Sequence, residues 1–192
     1  MPLDDRPFVQ TRLAIYTRRS LVTRAVGGTV FVVVSLGSPK RYFLWECFEI
    51  AEVRGEGGQF CAWGDGWQLA PPVLLAGEEF SRFRRACAYF VGFRSITELP
   101  FTRTLIELAR RSRAPALTPA VGRFCDLLVE ALPASGDVRF ARGFVHAGLG
   151  RHAEALADLD AASRLGTEYP DAVADCRRRT LASLGPSKVI PT

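Results

Sequence analysis

Histidine is almost missing from this chain. Its 192 residues include only two, His146 and His152. Proton transfer at neutral pH falls most often to histidine, so the scarcity weighs against an enzyme. Cysteine is sparse and unpatterned. Cys47, Cys61, Cys87, Cys125 and Cys176 form no C-x-x-C, and both histidines lie far from the first three. That spacing argues against a zinc site, and an odd count reads as reduced, buried thiols. Long apolar runs are also missing. The longest, Thr29–Leu36, is of strand length, far below the roughly 20 residues a membrane helix needs. The opening MPLDDRPFVQ has neither a basic n-region nor an apolar h-region, so it does not read as a secretory signal. The expectation is a cytoplasmic chain with no membrane partner, no catalytic residue, no metal and no cofactor. No serine or cysteine sits in a nucleophile elbow. Gly55, Gly57 and Gly58 match neither a phosphate-binding loop nor a dinucleotide fingerprint.

What the chain does have is aromatic and basic. All three tryptophans, Trp45, Trp63 and Trp67, fall within Tyr42–Pro72. Tryptophans gathered in one β-rich stretch either anchor a core or wall a pocket for a flat ligand. The formal net charge is +5, and all of the excess lies in residues 1–115, with 16 Lys+Arg against 11 Asp+Glu. Nearly all of it is arginine, which suits bidentate contact with phosphate or carboxylate. Residues 116–192 are balanced.

Two textures divide the chain. Up to about residue 113, short strand-like runs alternate with Gly/Pro turns. Thr11–Tyr16, Thr29–Leu36, Arg41–Val53, Gln59–Trp63, Gln68–Leu75 and Tyr89–Ile96 read as strands. Thr17–Ala25 reads as a helical turn, and Gly77–Ala88 and Pro100–Arg111 as helices. Regular alternation places Phe43, Trp45, Cys47 and Glu49 on one side of the long strand. Tyr42, Leu44, Glu46, Phe48 and Ile50 take the other. Gly64-Asp65-Gly66 reads as a turn that leaves Trp67 exposed. Beyond a linker at Ser112–Thr118, residues 118–185 show Ala, Leu and Arg at a 3.6 period. They predict helices at Thr118–Leu132, Asp137–Leu149, His152–Leu165 and Pro170–Leu184. The fold class expected is therefore α+β: a small mixed or antiparallel β-barrel over residues 1–113, then an α-helical tail.

The candidate ligand site follows from residue type. Trp45, Trp63 and Trp67 offer faces. Tyr16, Thr17 and Ser20 offer hydroxyls at a strand-to-helix turn. Arg18 and Arg19 beside them, extended by Arg24, Lys40 and Arg41, would hold phosphate. Alternation sets Trp45 apart as structural. The expected partner is then nucleic acid, bound without catalysis. The competing expectation has the tryptophans in the core and a partner protein or a second copy docking on the helical tail.

Two resemblances add to this. Gly143–Leu165, with Gly143, Gly150, Ala155, Leu159 and Ala162, resembles one helix pair of a tetratricopeptide repeat. The order of strand, TRRSL turn, Gly27-Gly28 break, apolar strand and YFLWECFEI strand resembles a PUA-like barrel of the EVE and ASCH type, over about residues 8–112. Tyr16 stands near the place of that group's tryptophan-containing opening. The second resemblance implies recognition of a modified base, in DNA among other nucleic acids, flipped into an aromatic pocket.

Overall fold

A computed structural model describes residues 12–88, 92–112 and 117–184. They fall into two compact units, 12–112 and 117–184. The first opens with strand β1 (Arg12–Thr17), a 3-10 turn (Ser20–Arg24) and strand β2 (Thr29–Leu36). Strands β3 (Arg41–Glu56) and β4 (Gln59–Leu75) follow, then helices α1 (Gly77–Ala86) and α2 (Phe101–Arg111). The second unit is helical: α3 (Pro119–Ala131), α4 (Gly136–Gly148), α5 (His152–Leu165) and α6 (Pro170–Ser183). The class is α+β. No helix among the described residues is long and apolar enough to cross a membrane.

The sheet is antiparallel, with order β1-β4-β3-β2. It is open among the described residues, not the closed barrel expected from the alternating runs. Closure needs β1 beside β2, and both stand at edges. β1 covers the half of β4 next to the hairpin turn, pairing Thr17 with Phe60 and Arg12 with Asp65. β2 covers the opposite half of β3, pairing Thr29 with Glu49 and Leu36 with Arg41.

Two strands expected at Gln59–Trp63 and Gln68–Leu75 form one. Gly64-Asp65-Gly66 is not a turn but the middle of β4. A Cβ on Gly64 would lie 1.6 Å from the Glu49 carbonyl oxygen, and one on Gly66 2.2 Å from that of Cys47. Glycine is there for close strand approach, not for a bend. The expected strand Tyr89–Ile96 is corrected as well. Residues 92–96 carry no strand, and 89–91 lie outside the described residues.

Bulges overturn the simple alternation of β3. Between the Leu44–Val73 and Glu46–Gln68 pairs, Trp45 alone stands opposite Leu69–Pro72. Pro71 and Pro72 have no N–H to donate to a ladder, so pairing lapses there. Against β2, Trp45 is the one extra residue between the Val32–Glu46 and Val33–Leu44 pairs, and it moves Leu44 onto the same face as Cys47, opposite Glu46, Phe48 and Ile50. Both faces are then covered. One carries Leu44, Cys47 and Leu69 against Phe80 and Phe83 of α1 and Leu105 and Ala109 of α2. The other carries Leu13, Val30, Phe48, Ile50 and Ala62, filled by Val22 of the 3-10 turn. Gly27 and Gly28 seat that turn by exchanging backbone hydrogen bonds with Ile50.

In the helical unit, Gly143 lets α4 approach α5. Its Cβ would meet Leu159 Cγ at 3.1 Å and the Ala155 carbonyl oxygen at 3.2 Å. Asp158, 3% exposed, lies inside this unit. Arg142 holds it with Nε and NH2, both at 2.7 Å, and Arg139 and His146 approach at 3.3 and 3.6 Å. Fixed paired donors satisfy a charge that burial would otherwise expel. His152 is the first residue of α5, as expected, and half-buried.

Candidate functional site: the cavity between the edge strands

The sheet curls enough that its two edge strands line one cavity of about 420 Å³. Ile15, Tyr16 and Thr17 of β1 form one wall, and Thr29–Val33 of β2 another. Phe83 and Cys87 of α1 and Leu105 of α2 add apolar surface, and Gly92–Arg94 and Ile96 complete the lining. The volume lies in the range of small-molecule sites, which combine apolar walls with a few polar groups.

Those polar groups come from local chain geometry. The Thr17 hydroxyl accepts a hydrogen bond from the Arg19 N–H at 3.1 Å, fixing the strand-to-turn corner. Arg19 runs alongside Gly92, whose missing side chain leaves it room; a Cβ there would meet Arg19 Nε at 3.6 Å. Arg94, exposed, supplies a cation in the lining itself. Burial pushes the Cys87 thiol up, and the charge of Arg94 opposes that shift. Both residues line the cavity. The cavity combines rings from Tyr16, Phe31 and Phe93, hydroxyls from Thr17 and Thr29, and positive charge. The walls suit a flat aromatic group, and the cations an anion attached to it.

The structure brings together only part of the expected set. Tyr16 and Thr17 line the cavity, with Tyr16 72% exposed. Ser20 opens the 3-10 turn just beyond, and its carbonyl accepts from the Thr23 hydroxyl. The tryptophans do not wall this cavity. Trp67 packs among the residues that meet α1 and α2, and its indole N–H donates to the Ala109 carbonyl at 3.2 Å. It is half-buried because Gly66 continues the strand instead of turning it. Trp45 is half-buried at the β3 bulge. Trp63 lies on the face of the hairpin half shared with Tyr16, with the guanidinium groups of Arg12 and Arg54 5.9 and 5.0 Å from its ring centre. Such stacking is worth about 0.5–1 kcal/mol at exposed sites.

The expected phosphate track is interrupted. Arg18, Arg19 and Arg24 are exposed around the corner after β1. Lys40 and Arg41 are exposed at the β2–β3 turn, the other end of β3. At about 3.3 Å per residue, the length of β3 separates the two groups by tens of ångströms along the strand. Thr29, Phe31, Phe93 and Arg94 are among the lining residues that the sequence-based site did not include. The signal available was Arg94 as a lone cation closing the apolar run YFVGF.

Outside the cavity, burial also shifts Glu46, Cys47 and Cys125. Burial raises Glu46, an effect its hydrogen bond from Gln68, 2.9 Å long, partly offsets. Burial pushes Cys47 up to about 11 and Cys125 up to about 12, which keeps both as thiols. Among the described residues no group of three or more His, Cys, Asp or Glu is placed to hold a metal ion.

Fold and cavity define an α+β protein with an open antiparallel sheet, a cavity between its outer strands, and a separate helical unit. The chain matches no protein-family model, no curated protein and no solved structure.

Proposed function

We propose that the protein is a non-catalytic binding module that takes a nucleobase, in particular a modified one, into the cavity between β1 and β2. The observation that carries this reading is the lining: aromatic rings, two threonine hydroxyls and Arg94 around about 420 Å³. A base would stack on an aromatic wall, an interaction worth about 1–3 kcal/mol per base. The hydroxyls would meet its polar edge, and Arg94 and Arg19 its phosphate. A base in duplex DNA would have to leave the stack at a cost of a few kcal/mol, so single strands should bind more tightly. The resemblance to PUA-like barrels of the EVE and ASCH type agrees with this reading, with β1 and β2 as the seam of an open version.

Titration of modified and unmodified oligonucleotides, read by anisotropy at two salt concentrations, tests the proposal. Tyr16→Ala and Arg94→Ala should each weaken binding about tenfold. Raising salt should weaken the parent more than Arg94→Ala. Parent-like affinity in both folded variants would remove the cavity from the function.

A second reading rests on Leu181 and Leu184, exposed within one turn at the end of α6. In it the helical unit, which resembles a tetratricopeptide helix pair, docks a protein or a second copy. A concentration-dependent mass that Leu181→Glu abolishes would support that reading.

A further inference from the structure

The base-sized cavity does not stand alone. A second cavity of about 720 Å³ shares Thr29, Phe31 and Ile96 with it, so the two form one groove along the first half of β2. The far wall is the segment Thr97–Pro100 with the first turns of α2, including Arg103 and Ile106. That wall is tied in place. The Thr102 hydroxyl donates to the Ile96 carbonyl, and the Leu99 N–H donates to the same oxygen at 2.9 Å. Arg94 lines the first cavity and Arg103 the second. Neither makes an ion pair among the described residues, and neither is a packing residue: both are exposed. Glu98 is the one acid in the described lining of either cavity.

We infer that the groove is a two-subsite channel for single-stranded nucleic acid. The flanking nucleotide lies in the second cavity, and Arg103 is its phosphate contact. The inference rests on the nucleobase reading of the first cavity and goes beyond it by assigning the neighbouring site. The occupant follows from shape and charge together. A free base or mononucleotide would leave the larger cavity and Arg103 unused. A chain with one negative charge per residue and an apolar ring between charges fills both. The apolar surface at Ile96, Leu99 and Ile106 offers ring contact, and Arg103 offers a fork matched to phosphate. A duplex has its bases stacked and covered, so the groove selects single strands.

Isothermal titration with the full chain tests this. The probes are deoxynucleoside 5′-monophosphates and the matching 5′-phosphorylated dinucleotides, each with and without base methylation. The best dinucleotide should bind about tenfold more tightly than its mononucleotide, as one added stacked base implies. Arg103→Gln should erase that gain and leave mononucleotide affinity unchanged. Ile106→Ser, on the same wall, should reduce the gain in the same way. Mononucleotide binding with no dinucleotide gain, or a gain that survives Arg103→Gln, overturns the second subsite while the first stands. Binding of neither probe overturns the nucleobase reading itself. A dinucleotide gain matched by acidic hexapeptides of equal charge would show a general polyanion groove and overturn the assignment to nucleic acid.

Discussion

The two units differ in how much of their arginine is paired. In the helical unit five arginines are paired with acids among the described residues. Arg142 clamps buried Asp158 and also reaches Asp126, Arg177 holds Asp160, and Arg178 and Arg179 share Asp175. In the sheet unit Arg18, Arg19, Arg24, Arg94 and Arg103 make no ion pair among the described residues, and all are exposed. Most arginines of the helical unit thus pair with its own acids, while in the sheet unit pairing is confined to Arg54 with Glu52 and Arg82 with Glu78 among the described residues, and Arg94 and Arg103 stand exposed in the cavity linings. Paired charges specify a packing arrangement, and unpaired exposed ones are available to a ligand.

Single glycines also test the comparison, and the largest expected effect lies in the sheet unit. Gly64→Ala would drive a methyl into the Glu49 carbonyl, with backbone on both sides of the clash. It should destabilise the sheet unit by more than about 3 kcal/mol, the upper end of overpacking costs. Gly122→Ala in α3 meets only Leu149 Cδ1 at 3.6 Å, an ordinary contact. It should be neutral or stabilise the helical unit by up to about 1 kcal/mol from helix propensity. Thermal unfolding followed by circular dichroism checks both. Equal losses at these two positions would show that strand contact at Gly64 costs no more than an open helix face at Gly122.

Next in size is Asp158→Ala. It leaves the Arg142 guanidinium, only one-fifth exposed, without its bidentate partner. The expected loss is about 3 kcal/mol, the low end for breaking a buried pair. Denaturant unfolding measures it. A loss below about 1 kcal/mol would place this network with surface ion pairs and erase the contrast between the units.

The smallest effect sharpens the sheet side. Burial raises the Glu46 carboxyl in the folded state above its ordinary value of 4.5. The folded protein therefore holds this proton more tightly than the unfolded chain. The stability it contributes is full below about pH 4.5 and is lost as pH rises through the raised value. Glu46→Gln should then be more stable than the parent at neutral pH and show a flatter profile through the mildly acidic range. Melting temperature against pH reads this, and a parent that gains stability relative to the variant as pH rises would refute it.

Element identity was largely legible in the sequence. Helices α3 to α6 stand within a residue or two of their expected limits, because a 3.6 period with Pro119, Gly150 and Pro170 as punctuation is a local signal. The site was half legible. Tyr16 and Thr17 were found because a hydroxyl-rich corner after a strand is visible in one stretch of chain. Phe31 and Arg94 were not, since they come from segments about 60 residues apart. Trp67 misled for the same reason. Its GDG neighbours look like a turn locally, and only the β3 backbone against Gly64 and Gly66 makes them a strand centre.

By itself the sequence determined the division into a β-rich basic part and a neutral helical part, the α+β class, and the scarcity of histidine. All of these are sums or periods along the chain. Tertiary structure alone decided which face Leu44 takes after the bulge at Trp45, that the sheet stays open, and that its two edges enclose a cavity. Those outcomes depend on where distant backbones meet, and no local pattern of residues records that.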